Sequence, residues 1–214
     1  MHIGDGLIPL EQAVIYWIAA VLFVALSLRW ARKEMDESMI PIFAALAAGI
    51  FAIQALNIPI PWGTSGHMIG AVLAAIILGS PFAGILILTL VLIVQGFIFV
   101  DGGISVMGAN ILNNGVIASF TGYYTFRMIK GSLGMAKASF IGGWVGIFMG
   151  ALAVAIELAI AGILPLIPAM IWMGTFHAVI GVIGEGLITA IVVTSMMKTR
   201  PDLVASSSKV AVPA

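Results

Sequence analysis

The positive charges of this chain fall in three clusters: Arg29, Arg32 and Lys33; Arg127, Lys130 and Lys137; and Lys198, Arg200 and Lys209. From Glu34 to Phe126, and again from Ala138 to Met197, there is no lysine or arginine. A soluble domain spreads charge over about a quarter of its residues. Here charged residues are 8% and apolar ones 62% of the 214. Such a chain belongs in lipid, where a helix satisfies its own backbone hydrogen bonds. The fold class is all-α and polytopic.

A crossing takes roughly 20 apolar residues. That length divides the chain into seven spans, at about Gln12–Leu28, Met39–Leu56, Gly66–Leu78, Pro81–Phe99, Ile104–Ile129, Ala138–Leu164 and Pro168–Met197. On these bounds all three positive clusters lie on one side, which the positive-inside rule makes the cytoplasm. The N-terminus is then outside and the C-terminus inside, as an odd number of spans requires. Residues 1–197 form one membrane domain and residues 198–214 a polar tail. Small residues at four-residue spacing (Ala44, Ala48; Ala45, Gly49; Ala71, Ala75) suit close helix packing, within the bundle or against a partner.

The third span is short for a hydrocarbon core of ~30 Å. The preceding Asn57–Ser65 is therefore expected to dip into the membrane as irregular backbone shielded by protein. His67 heads the short helix, with Thr64 or Ser65 as its capping group. The helix dipole there favours a neutral imidazole.

The outer side holds Met1-His2-Ile3-Gly4-Asp5-Gly6. A free Met1 amine, the His2 amide nitrogen and the His2 Nδ1 can close a five- and a six-membered chelate ring, a planar nitrogen set suited to Ni²⁺ or Cu²⁺. The large second residue argues for retention of Met1. His67 is the better of the two remaining histidines for a fourth ligand. Asp5, Thr64, Ser65 and Asp101 are candidates for supporting groups, although Asp5 and Asp101 also read as turn residues. Within the spans, His177, Glu157 and Glu185 must be paired, neutral or turned to a polar interior. Asn110, Asn113 and Asn114 are their natural partners.

Cysteine is absent, which removes disulfides and thiolate sites. No Gly-x-x-x-x-Gly-Lys-[Ser/Thr] loop and no His-Glu-x-x-His pair occurs. The chain therefore reads as no enzyme by itself, and any ATP hydrolysis belongs to partners. Its surroundings are the lipid bilayer, not nucleic acid.

Met1-His2-Ile3-x-Asp5-Gly6 and Pro61-x-Gly63-Thr64-Ser65-Gly66-His67 resemble the CbiM/NikM family. So do Gln95, Asp101-Gly102-Gly103-Ile104, Gly108-Ala109-Asn110 and His177-Ala178-Val179-Ile180-Gly181 with Glu185-Gly186. The resemblance implies a substrate-binding (S) component of an energy-coupling-factor importer for cobalt or nickel, in the cell (inner) membrane. It implies a six-helix bundle with one additional N-terminal helix. Met1, His2 and His67 would bind Ni²⁺ or Co²⁺ as transported substrate, with the N-terminal segment inserted into the bundle. The partners implied are a coupling transmembrane protein, two cytoplasmic ATPase subunits and a small accessory membrane protein where one is needed. Gly4 stands where cobalt-type members more often have proline. Two other readings fit the residues: a self-contained metal permease or channel using His177 and Glu185, and a membrane metalloenzyme holding metal with His67, His177 and a glutamate.

Overall fold

The computed structural model describes residues 1–60 and 64–204 and is mostly helical. Pro61, Trp62 and Gly63 of the dipping connection, and the tail from 205 onward with Lys209, lie outside the described residues.

Helix α1 (Leu10–Glu34) has Glu11 in its first turn and Arg32 and Lys33 in its last, the order the helix dipole favours. It buries only Ala13, Ala20 and Ser27, one small residue every seven. Leu10, Ile15, Ile18 and Val21 face outward. Against lipid tails, which are as apolar as leucine, that face carries no penalty. Helix α2 (Ile40–Gln54) follows a turn capped by Asp36, whose carboxylate accepts from the Ser38 N–H at 2.8 Å. Its Ala44, Ala45, Ala48 and Gly49 are exposed, whereas Ala71 and Ala75 are fully buried.

The connection after α2 corrects two expectations. It is a hairpin of β1 (Ile58–Ile60) and β2 (Thr64–Gly66), antiparallel with Ile58 opposite Gly66, and so neither irregular nor helical. Backbone enclosed by protein must still satisfy its polar groups, and pairing with itself does so. Helix α3 (Ala71–Ile77) is also shorter than the expected Gly66–Leu78. At about 10 Å it cannot cross a bilayer, and all seven of its residues are buried. It packs on the next two long helices.

Helix α4 (Pro81–Ile98) begins with proline at its first position and the Ser80 hydroxyl accepting from the Phe82 N–H. Helix α5 (Met107–Asn110), a π-helical turn (Ile111–Ile117) and α6 (Ala118–Ile160) run on as one apolar stretch, broken at Gly134, where φ is +75°. The arms on either side fold back on each other. A Cβ on Gly122 would stand 2.6 Å from the Gly142 carbonyl oxygen, and one on Gly142 2.8 Å from that of Gly122. Only glycine permits so close a backbone approach. The break lies in the gap expected between the fifth and sixth spans, among Arg127, Lys130 and Lys137. Helix α7 (Leu166–Ile180), a second π-helical turn (Gly181–Leu187) and α8 (Ile188–Thr199) complete the bundle.

Among the described residues, five stretches are long and apolar enough to cross a membrane: Leu10–Glu34, Glu37–Gln54, Pro81–Ile98, Met107–Ile160 and Leu166–Thr199. Gly134 divides the fourth into two arms. The chain is a multi-pass helical membrane protein.

Candidate metal centre

The N-terminal segment is threaded into the bundle. Met1 and Ile3 are fully buried and His2 is 4% exposed. An extended chain placed there must find partners for its peptide groups. Asn110 supplies them in pairs: its Oδ1 accepts from the Ile3 N–H at 2.8 Å and its Nδ2 donates to the Ile3 carbonyl at 3.0 Å. An asparagine side chain carries one acceptor and a donor group side by side, as a peptide does. The Gly103 N–H donates to the same carbonyl at 2.9 Å, and Asn114 Nδ2 reaches the Met1 carbonyl at 3.2 Å. Further out, the Asp5 carboxylate accepts from the Ile104 and Ser105 amides and the Ser105 hydroxyl. A Cβ on Gly103 would stand 2.4 Å from the Asp5 nitrogen, so this turn and the N-terminal segment fit without space for a side chain.

The second arm of the site is the loop from β2 to α3. It places His67, 1% exposed, so that Nε2 contacts the Met1 amine. The His67 Nδ1 lies 2.7 Å from the Met68 carbonyl and donates to it. That assignment leaves Nε2 with its lone pair toward Met1. The rings of His2 and His67 lie 4.4 Å apart between centroids. The His2 N–H donates to the Ser65 hydroxyl at 3.3 Å, and His2 Nδ1 bonds the Asp101 carboxylate at 2.9 Å. Asn57 also approaches Asp101, at 3.4 Å.

Burial decides the charge states. Loss of hydration takes the Met1 ammonium from its usual 8.0 down to about 4, against the opposing pull of Asp101 and Glu185. The amine is therefore neutral near pH 7, with a lone pair to give. Burial also lowers His2, outweighing the Asp101 hydrogen bond that would raise it. The His2 contact in turn holds Asp101 below the ordinary carboxylate range. The pair is best written as a neutral imidazole donating to a carboxylate. The centre thus gathers four nitrogens beside an acid group: the Met1 amine and His67 Nε2 with lone pairs, and the His2 amide and Nδ1, each still carrying a proton.

Several sequence expectations change in detail. His67 does not head a helix: α3 starts four residues later, after Gly70 at φ +80°. The dipole argument for its neutrality is replaced by enclosure in the loop. Thr64 donates to the Met173 sulfur at 3.5 Å instead of capping a helix, and it is Ser65 that reaches the His2 amide. Asp5 closes the outer turn without touching the nitrogen cluster. Among the buried ionisable groups, Glu157 accepts from Asn113 at 2.6 Å as expected of an interhelical pair. His177 instead bonds the Met173 carbonyl, with its Nε2 facing the Ser65 backbone without a hydrogen bond. Asn110 and Asn114 serve the N-terminal backbone, a role that sequence reasoning missed. Three asparagines within five residues of an otherwise apolar span were the available signal. Glu185 accepts from the Ile69 and Gly70 amides, and Gln54, bonded to Gln95, holds the Ile69 carbonyl. Among the described residues, no group of three His, Asp or Glu side chains is arranged to hold a metal ion.

Fold and site together define a multi-pass membrane protein that encloses a nitrogen-rich cluster at the seat of its N-terminus. The chain belongs to the CbiM family, described as the cobalt uptake substrate-specific transmembrane region, whose profile matches residues 2–203. Its relatives include a protein of Archaeoglobus fulgidus provisionally named as the fused nickel transport protein NikMN, 40% identical over 209 residues, 95% of this chain and 68% of that one. The cobalt transport protein CbiM of Geobacter sulfurreducens is 34% identical over 215 residues, 96% of this chain and 62% of that one. A crystal structure of a transition metal transporter superposes with a TM-score of 0.88 at 34% identity, over the whole of both chains.

Proposed function

We propose that this chain is the substrate-binding membrane subunit of an ATP-driven importer of the energy-coupling-factor type, with Ni²⁺ or Co²⁺ as its cargo. The observation that carries the reading is the Met1 amine, buried and neutral, in contact with Nε2 of His67, a residue 66 positions away. An amine inside a membrane protein costs burial free energy. A lone pair poised beside an imidazole gives that cost a use. The Met1 amine, the His2 amide nitrogen, the His2 Nδ1 and His67 Nε2 would form a four-nitrogen set of the kind that suits Ni²⁺. Capture moves the His2 ring proton from Nδ1, where Asp101 now accepts it, to Nε2, so that Nδ1 can face the ion. The His2 amide proton, now donated to Ser65, is released to water as the amide nitrogen binds. Asp101 then stays beside a centre that has gained positive charge.

On this reading the N-terminus and His67 lie in the outer half, the three positive clusters face the cytoplasm, and seven helical segments thread the bundle, α3 being the short one. Residues 1–197 are the metal-binding domain and residues 198–214 a cytoplasmic tail in the cell (inner) membrane protein. ATP hydrolysis falls to two partner subunits, joined through a coupling membrane protein and, where one is needed, a small accessory membrane protein. The metalloenzyme reading is disfavoured because the Glu185 oxygens are engaged by backbone amides.

The test is metal binding to three purified forms: the native chain, a chain with one residue added before Met1, and His67→Ala. The native form is expected to bind one Ni²⁺ with the d–d band of a planar nitrogen site, and both variants to lose that band. Normal binding by the extended chain would refute the role of Met1. Uptake into liposomes by this chain alone, without ATPase partners, would favour the permease instead.

A further inference from the structure

The loop that carries His67 is gripped at one peptide-rich point. Glu185 is fully buried in the second π-helical turn. Its Oε2 accepts from the Ile69 N–H at 2.6 Å, and its two oxygens lie 3.0 and 3.1 Å from the Gly70 nitrogen. From the opposite side Gln54 Nε2 donates to the Ile69 carbonyl at 2.7 Å, and Gln95 Nε2 steadies Gln54 at 2.9 Å. The N–H and the carbonyl of Ile69 are thus both held, two residues from His67. The ring itself makes its Nδ1 bond to the adjacent Met68, within the same loop, so it follows wherever the loop goes.

Helix α3 has no cap of its own, because Gly70 offers no side chain. Its start is completed from another helix, the one that runs on through α8 to Lys198. A π-helical turn is rare and recurs at functional positions. Here it is the turn that holds Glu185.

We propose that Glu185 is the positioning residue for His67: through the Ile69 and Gly70 amides it keeps Nε2 against the Met1 amine and so sets how long a bound ion is retained. This role rests on the reading that Met1 and His67 share one ion. Loss of the two amide acceptors leaves buried N–H groups unsatisfied, which the loop relieves by moving, and His67 moves with it.

The experiment compares wild type, Glu185→Ala, Glu185→Gln, Glu157→Gln and His67→Ala, all loaded with Ni²⁺. It reads the d–d band and the rate at which excess EDTA removes the ion. Glu185→Ala is expected to weaken the band, which His67→Ala loses, and to release Ni²⁺ about tenfold faster or more. Glu185→Gln, with one acceptor oxygen left, should keep the band and release about threefold faster. Glu157→Gln makes the same chemical change at a buried carboxylate that holds Asn113, and should leave both readouts alone. If Glu185→Ala is not recovered folded, the release rate of Glu185→Gln decides. Wild-type band and release in the recovered Glu185 variants, or equal acceleration in Glu157→Gln, would overturn the positioning role. A wild-type band in His67→Ala would sink the shared-ion reading itself, and the positioning role with it.

Discussion

Two arms meet at the nitrogen cluster, and they are held in different ways. The N-terminal arm, Met1 to Ile3, is a chain end laid into a slot and clamped by neutral amides, chiefly Asn110 and Asn114. The loop arm, residues 64–70, is tied to the fold at both ends and gripped by Glu185 and Gln54. Asn110 and Asn114 lie beside and in the first π-helical turn, Ile111–Ile117, and Glu185 in the second, Gly181–Leu187, whereas Gln54 ends α2. A chain end can leave its slot without unfolding anything else, whereas the loop can move only with its helices. On the proposed reading the difference would make the first arm the gate and the second the fixed wall.

Asn110→Ala should break that contrast most severely. It removes both bonds to the Ile3 peptide; the carbonyl keeps the Gly103 N–H, so the Ile3 N–H alone is left unpaired, at about 1–3 kcal/mol. Ni²⁺ release should accelerate by roughly a hundredfold, and the N-terminal residues should become open to aminopeptidase in the metal-free protein. Continued protection from the peptidase would mean that Asn110 is not the clamp.

Gly70→Ala tests the wall. Its φ of +80° disfavours any Cβ, and that Cβ would stand 2.6 Å from the Ile50 side chain. Conformation alone costs about 1–2 kcal/mol. The thermal midpoint should fall while the N-terminal segment stays protected. Loss of stability and protection together would show that the two arms do not act separately.

Acidification separates the folded site from its own peptide. With the Met1 amine depressed from 8.0 to about 4, the folded chain holds a free amine in the interval where the unfolded chain holds an ammonium. The unfolded state then binds more protons, so this group subtracts stability from the metal-free protein increasingly as pH falls from 8 toward 4. For metal the same shift is an advantage, since protons compete less. Between pH 7.5 and 5.5 proton competition at the amine alone should cost the free peptide Met1–Asp5 roughly seventyfold more Ni²⁺ affinity than the protein. Parallel losses would show that the amine titrates as if exposed.

The smallest effect belongs to Asp5→Asn. Hydrogen bonds from Ser105 and Ile104 hold the Asp5 carboxylate below its ordinary range. Its contribution is therefore present above that range and fades as pH falls through the depressed value. The group is exposed and screened, so the change in stability should stay below about 1 kcal/mol with Ni²⁺ release unaltered. A marked acceleration of release would move Asp5 from the outer turn into the gate.

Membrane residence and helical class were legible in the sequence. Lipid demands long apolar runs and the three positive clusters punctuate them. The nitrogen donors Met1, His2 and His67 were legible as chemistry, because few residue types offer such atoms. What lay beyond reach were the partners. Asn110 reads as a partner for buried acids, yet it binds the Ile3 backbone. Glu185 reads as a partner for the buried asparagines, yet it accepts from the backbone amide of Ile69, 116 positions earlier in the chain. A side chain bonded to a distant peptide group leaves no pattern in either sequence segment, since every residue carries the same N–H and carbonyl. The hairpin before His67 and the π-helical turns were hidden for a related reason: apolar periodicity reports that a segment is buried, not which neighbour satisfies its backbone. The sequence by itself therefore determined the solvent, the helices and the chemical inventory. The tertiary structure alone decided that a chain end and a loop 66 residues apart would meet, because that meeting depends on backbone groups finding partners inside one closed bundle.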